Sequence, residues 1–271
     1  MMQTIPIETL LESLDTYDLV IDARSPHEYG ESHLPGARNF YALNDEEHRI
    51  VGTLYKQVSP FEARVQGASY VCVNAASHVK ELYPAFTPNA KIAIYCARGG
   101  MRSSSLGTIF SSIGYRIERV SGGYKSYRTA ILHYLENLPQ VDFITLAGNT
   151  GCGKSDLLRE LDNVIDLEKM ANHYGSVFGD VNGAQPTQKE FQNRLTQSLL
   201  EILYPHYLAP TPSMADSTLR SSLRSGNSTL AMASNSTTPT AVSGWPGRSR
   251  SRTNSRAAAF IATVGAPAID A

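Results

Sequence analysis

Cys96 ends an apolar run, and Arg102 follows it after five residues that include Gly99 and Gly100, in the stretch YCARGGMRSSSLG (95–107). A thiol is most nucleophilic when held as thiolate. A cysteine that closes a buried strand and opens a helix faces unpaired backbone N–H groups and the positive end of a helix dipole. Glycines let the backbone curl close to an anion, and Arg98 and Arg102 bring positive charge. An inert core cysteine at a strand end is the common reading of a lone Cys, and the chemistry of this loop outweighs it. Cys96 is therefore the candidate catalytic thiol, with Arg98, Gly99, Gly100 and Arg102 shaping an anion pocket. Cys72, Cys96 and Cys152 are too few and too scattered for a disulfide framework or a zinc site. A reactive cysteine of this kind implies a reducing compartment.

A second anion site stands further along. GNTGCGKS (148–155) satisfies the phosphate-loop pattern G-x-x-x-x-G-K-[ST] in full, between a strand-like run and a helix-like one. Gly148, Asn149, Thr150, Gly151 and Gly153 would cradle a diphosphate with backbone N–H groups. Lys154 would neutralise its oxygens, and Ser155 would offer a hydroxyl to a magnesium ion. ATP, GTP or another diphosphate all fit such a loop. Nearby, Asp166 ends an apolar run and suits either a metal or phosphate site or a helix cap. His173 suits either a ligand-facing base or a solvated position.

The elements that must hold these residues follow from hydrophobic pattern. YDLVIDAR (17–24) and AKIAIYCA (90–97) read as buried parallel strands that end in polar loops. RSSSLGTIFSSIG predicts a helix closed by Gly114, YRIERVSGG a short strand with its turn, and YKSYRTAILHYLENL an amphipathic helix. Pro139 marks a boundary, and VDFITLAG (141–148) begins a fresh strand. The fold class is thus α/β: a parallel-sheet domain over residues 1–138, then the N-terminal portion of a P-loop NTPase-like α/β domain over 139–210.

Composition changes beyond residue 210. From Thr211 to Ala271 there is no Lys, Glu or Tyr, Ser and Thr make up about a third of the residues, and six Arg face only Asp216 and Asp270, a formal charge of +4. The 211–271 segment reads as a low-complexity, largely disordered tail whose AAAFIATVGA stretch cannot close a core. The whole chain of 271 residues carries a formal charge of -1, which argues against a strongly basic nucleic-acid binder while leaving room for a local basic face. No signal-like N-terminus or membrane-length apolar run occurs, so a cytoplasmic protein without a membrane partner is expected.

DARSPHEYGESHLPGARNF (22–40) resembles the N-terminal signature of the rhodanese family, through Asp22, Arg24, Glu28, Tyr29, His33, Leu34, Gly36 and Ala37. Ser32 stands where that signature usually has Gly. VSGGYKSYR (120–128) resembles the glycine pair and aromatic that close such a domain. The resemblance implies a persulfide or perselenide carrier on Cys96, or a thiol that attacks a chalcogen donor. Single-domain rhodaneses usually place four residues between Cys and Arg. The five found here match cysteine phosphatases, including those of rhodanese fold, and suit a phosphate-like donor such as selenophosphate.

A rhodanese-like domain followed at once by a P-loop resembles the tRNA 2-selenouridine synthase family. CARGGMRS, GNTGCGKS, DLEKMANHYGSVFG and QPTQKEF (185–191) look like that family's motifs, as does VGTLYKQVSPFEAR (51–64), an insertion ordinary rhodaneses lack. The resemblance runs from about residue 5 to 203. It implies conversion of wobble 2-thiouridine in the tRNA anticodon to 2-selenouridine. Sulfur is first alkylated by geranyl diphosphate, and selenium from selenophosphate then replaces it. No tightly bound cofactor is implied; selenophosphate and geranyl diphosphate are substrates, and the phosphate loop leaves room for Mg²⁺ at Ser155. The family continues past the point where the tail begins, so the tail reads as an aberrant or out-of-frame end. Two other readings stay open: a plain rhodanese-type sulfurtransferase or rhodanese-fold cysteine phosphatase with a regulatory P-loop domain, and an inactive truncated product.

Overall fold

The computed structural model describes residues 2–138, 142–146, 152–161, 163–173, 183–203 and 258–262. Strands β1 (Gln3–Ile5), β2 (Leu19–Asp22), β3 (Arg38–Asn39), β4 (Lys91–Tyr95) and β5 (Arg116–Val120) form one parallel sheet in the order β1-β5-β4-β2-β3. Successive side chains of a strand point to opposite faces. Ile92 and Ile94 of β4 accordingly join one apolar cluster with Ile21, Leu106 and Phe110, while Ala93 and Tyr95 join another with Leu10, Tyr127 and Ile131. A central parallel strand must be covered on both faces, which is why β2 and β4 read as near-continuous apolar runs.

The covering helices are α1 (Ile7–Glu12), α2 (Pro26–Glu31), α3 (Asp45–Gln57), α4 (Pro60–Ala85), α5 (Met101–Ser112) and α6 (Gly123–Glu136). The segment 51–64 falls within a helical hairpin made by α3 and α4. Asn44 and Glu47 close a capping box at the start of α3, and Ser59 caps α4 with Pro60 in its first turn. Asn74 ties the hairpin back by donating to the Ala42 carbonyl and to Glu47.

Asp22, at the end of β2, is fully buried and holds Arg24 through hydrogen bonds to its backbone N–H and guanidinium, the shortest 2.6 Å. The guanidinium lies 3.9 Å from the centroid of the Tyr124 ring and donates to the Ser32 carbonyl at 2.7 Å. Two signature residues thus pin β2, α2 and α6 together. Removing one partner of a buried pair leaves an uncompensated charge, at a cost of about 3–5 kcal/mol. Asp22→Ala is expected to lower unfolding stability by that amount in urea titration; a loss under about 1 kcal/mol would contradict the pinning role.

The second unit has a three-stranded parallel sheet, β6 (Asp142–Leu146), β7 (Val164–Ile165) and β8 (Ala258–Ala262), in the order β6-β8-β7. Helices α7 (Lys154–Arg159), α8 (Leu167–Ala171) and α9 (Gln188–Leu203) accompany it. Composition predicts a largely unfolded tail; the only part of it among the described residues is Ala258–Ala262, whose backbone pairs with both neighbours. A short apolar run satisfies two strand edges that would otherwise be left open. Pro139 and the rest of the tail lie outside the described residues. Among the described residues no helix is long and apolar enough to cross a membrane.

Candidate functional site

The cysteine loop leaves the C-terminal end of β4 and enters α5, as the pattern of residues 90–114 predicts. Cys96 is 3% exposed, and its sulfur lies 3.2 Å from two donors, the Gly100 backbone N–H and the Ser103 hydroxyl, whose one proton is shared with the Gly100 carbonyl, also at 3.2 Å. Two donors therefore converge where negative charge would sit on sulfur. Ser103, fully buried on the first turn of α5, was not distinguishable in sequence from its neighbours Ser104 and Ser105. Its place three residues after Gly100 aims it at the sulfur.

Two glycines let this loop lie flat on the turn between β5 and α6. Gly99 has φ +65°, and a Cβ there would stand 2.8 Å from the Val120 carbonyl oxygen. Gly123 has φ +57°, and its Cβ would fall 2.0 Å from the Cys96 carbonyl oxygen. That carbonyl instead accepts from the Tyr124 N–H at 2.8 Å, and the Ala97 carbonyl from the Lys125 N–H at 3.0 Å. Gly100 differs: its φ is negative and a Cβ would meet nothing within 4 Å, so its contribution is its N–H. Arg98 is exposed on the loop.

Arg102 stands in the loop wall, with its guanidinium on Glu28 of α2, Nη1 to Oε2 at 2.5 Å and Nη2 to Oε1 at 3.3 Å. A guanidinium has five donors, of which Glu28 takes two. His48 Nδ1 lies 3.9 Å from the same carboxylate. Burial alone would raise the Glu28 carboxyl, but the Arg102 hydrogen bond and charge outweigh it and hold it below its ordinary value. Burial, followed by the charge of Arg102, holds the His48 imidazole below its own. In both cases the unfolded chain takes up protons first as pH falls, so both groups make acid destabilising. The part due to Glu28 is intact above the ordinary carboxylate pKa and is lost as pH drops through its lowered one. Unfolding midpoints are expected to fall from about pH 6.5 downward. Glu28→Gln is expected to cost about 1–2 kcal/mol at neutral pH and to flatten the fall below about pH 4.5. An unchanged acid profile in the variant would contradict this account.

In the phosphate loop, Gly148, Asn149, Thr150 and Gly151 lie outside the described residues. Gly153 precedes α7 with φ +85°, a conformation glycine adopts without strain, and Lys154 and Ser155 begin the helix. Ser155 lines a cavity of about 760 Å³ together with Asp166, Met170, His173, Arg194 and Glu201. Asp166 also caps α8, its Oδ1 accepting from the Lys169 N–H at 2.9 Å, so the cap reading of that residue holds and the cavity wall is a second setting for it. Among the described residues no group of three His, Cys, Asp or Glu could hold a metal ion.

Comparisons with known proteins follow this division. Residues 7–130 match the rhodanese-like domain family, and residues 141–207 match the tRNA 2-selenouridine synthase AAA domain. Residues 187–243 also match the type VI secretion system TssF family. The chain is 40% identical over 185 residues to the tRNA 2-selenouridine synthase of Pseudomonas putida GB-1, covering 67% of this chain and 50% of that one. It is 38% identical over 196 residues to the synthase of Hydrogenovibrio crunogenus XCL-2, covering 68% and 53%. The chain thus spans about half the length of the curated relatives it matches. A solved structure, the N-terminal domain of a Clostridium difficile 630 protein described as ATP/GTP-binding, is 38% identical and covers 48% of this chain and 99% of that one, with a TM-score of 0.42.

Proposed function

We propose, for a chain that carries the rhodanese-like and AAA domains of the tRNA 2-selenouridine synthases, that it replaces the sulfur of 2-thiouridine in tRNA with selenium in two steps. The observation that carries this reading is the Cys96 loop, with its two donors on sulfur, in one chain with a synthase-type P-loop.

In the first step the thiocarbonyl sulfur attacks the allylic carbon of geranyl diphosphate. A C–S bond forms, the C–O bond breaks, the N3 proton of the base passes to solvent, and pyrophosphate leaves on the phosphate loop, where Lys154 neutralises its charge. The Ser155 hydroxyl and the Asp166 carboxylate line one cavity and are hard oxygen donors of the kind Mg²⁺ accepts beside phosphate oxygens. A magnesium ion held there would supply charge neutralisation for the leaving diphosphate.

In the second step Cys96 attacks the phosphorus of selenophosphate. An S–P bond forms and hydrogen selenide leaves; it then attacks C2 of the alkylated uridine and expels geranylthiol. Water returns the phosphorylated cysteine to thiol and phosphate. No electrons change hands in this sequence. Selenium in selenophosphate is already at the selenide level, so a perselenide on Cys96 would need a two-electron oxidant. Attack at phosphorus is therefore the balanced form of the Cys96 step, and a pocket of Arg98, Gly99, Gly100 and Arg102 suits a tetrahedral phosphate group.

The test incubates 2-thiouridine-containing tRNA with the chain, geranyl diphosphate and selenophosphate, and reads the digested nucleosides by mass spectrometry. 2-Selenouridine is the expected product. Cys96-dependent sulfur transfer from thiosulfate or phosphate-ester hydrolysis, with no product on tRNA, would instead mark a sulfurtransferase or phosphatase.

A further inference from the structure

We propose that Ser32 is a positioning residue that couples the P-loop cavity to the cysteine loop, through the polar chain Arg194–Glu190–Ser32–Tyr124. Ser32 is the departure from the rhodanese signature noted above, and its hydroxyl does work that glycine could not do. It accepts from the Tyr124 hydroxyl at 2.7 Å and from Asn193 Nδ2 at 2.7 Å, and donates to Glu190 Oε2 at 3.3 Å. One donor and two acceptor sites exhaust a hydroxyl. Ser32 and Asn193 are each 2% exposed and Tyr124 8%, so these three side chains meet out of water, while Glu190 and Arg194 lie nearer the surface.

Each end of the chain reaches a site. On one side Glu190 Oε1 accepts from Arg194 Nε at 2.9 Å, and Arg194 lines the same cavity as Ser155. On the other side the Tyr124 backbone N–H holds the Cys96 carbonyl at 2.8 Å, and the Arg24 guanidinium that stacks on Tyr124 also holds the Ser32 carbonyl. The junction is clamped from outside as well. Arg128 of α6 donates to Asn193 Oδ1 at 2.5 Å, and the Thr187 hydroxyl to the Glu31 carbonyl at 2.7 Å. Helix α9 is therefore fixed to the first domain beside Ser32 and α6, while its Arg194, Gln197, Ser198 and Glu201 line the cavity.

The coupling follows from charge competition. An anionic ligand in the cavity competes with Glu190 for the Arg194 guanidinium, and a released carboxylate alters its bond with Ser32. The Ser32 hydroxyl then re-partitions between its neighbours, and Tyr124 carries the change to the loop that holds Cys96. The proposal rests on the reading of the P-loop as a diphosphate site. Coupling of this kind is reciprocal: what the ligand does to the cysteine, modification of the cysteine does to ligand affinity by the same factor.

The experiment uses the full chain with magnesium pyrophosphate as the probe. Binding is measured by calorimetry, and the alkylation rate of Cys96 by iodoacetamide is read by peptide mass spectrometry. Saturating pyrophosphate is expected to change that rate about fivefold, and alkylated protein is expected to bind pyrophosphate with an affinity altered by the same factor. Ser32→Ala and Tyr124→Phe are expected to bind the probe yet lose the response, and Ser32→Thr, which keeps the hydroxyl, to retain it. If Ser32→Ala melts at too low a temperature to assay, Tyr124→Phe, which leaves the ring in place, decides. Binding without a change at Cys96, or an undiminished response in both hydroxyl-deleted variants, would overturn the coupling and leave the proposed function standing. Absence of binding would overturn it together with the diphosphate assignment of the P-loop, while the nucleoside assay judges the Cys96 chemistry separately.

Discussion

Serine in place of Cys96 is expected to remove 2-selenouridine from the products by about 10³-fold or more, the scale on which loss of a covalent nucleophile is felt. Geranylated nucleoside is expected to accumulate in its place. The division follows from the two-site account, because alkylation needs the phosphate loop and only the selenium step needs the thiol. Serine has nearly the shape of cysteine, and the Gly100 N–H and Ser103 hydroxyl would find an oxygen where they now meet sulfur. The fold is thus expected to survive, with an unfolding midpoint close to the parent's. What is lost is nucleophilicity, since an alcohol is far less ionised than a thiol at neutral pH. Disappearance of the geranylated nucleoside as well would place Cys96 in the first step and contradict the division.

Gly123→Ala carries the second large effect. The added methyl would lie 2.0 Å from the Cys96 carbonyl oxygen and 2.7 Å from the Gly99 nitrogen, both backbone atoms with no rotamer to yield. It would also place a Cβ on a residue with φ +57°. Left-handed strain of about 1–2 kcal/mol adds to an overpacking cost of about 1–3 kcal/mol, so a stability loss of about 2–5 kcal/mol is expected in denaturant titration. Below the melting temperature of the variant the loop must still shift to make room. A displacement of about 1 Å at a reacting atom is worth about 100-fold in rate. Gly100→Ala is the matched control: its Cβ enters open space at negative φ, and a change within about 0.5 kcal/mol is expected. Equal effects of the two substitutions would contradict the steric account of the loop.

Local features of this site were legible in the sequence because they are carried by neighbours in the chain. The apolar run ending at Cys96, the glycines after it, the helix closed at Gly114 and the strand–turn–helix of residues 116–136 all depend on short-range pattern. The signature residues were legible as a resemblance but not as physics. Nothing local shows that Asp22 and Arg24 form a buried pair, or that Tyr29 and His33 stack with ring centroids 3.9 Å apart. The pairing of Arg102 with Glu28 spans 74 residues and arises because β4 lies beside β2, which brings α2 against the cysteine loop. Sequence spacing placed Arg102 at an anion pocket; the sheet order places a carboxylate on its guanidinium. The Ser32–Asn193 bond spans 161 residues and joins two domains. Its only trace in the sequence was a serine at a position the rhodanese signature usually gives to glycine. The β8 strand was illegible for another reason. Its composition is that of the surrounding tail, and its pairing depends on two edges more than 90 residues upstream.

The central claim is that the loop makes Cys96 the group that opens the phosphorus–selenium bond, and it can be measured on the protein itself, without tRNA. The chain is mixed with selenophosphate at neutral pH, and the peptide containing Cys96 is read by mass spectrometry while released hydrogen selenide is trapped and quantified. The account predicts a phosphoryl group on Cys96, trapped by rapid quenching before water removes it, and release of hydrogen selenide, both absent from Cys96→Ser. A Cys96 adduct bearing the isotope pattern of selenium, or an unmodified Cys96 with no selenide released, would contradict it.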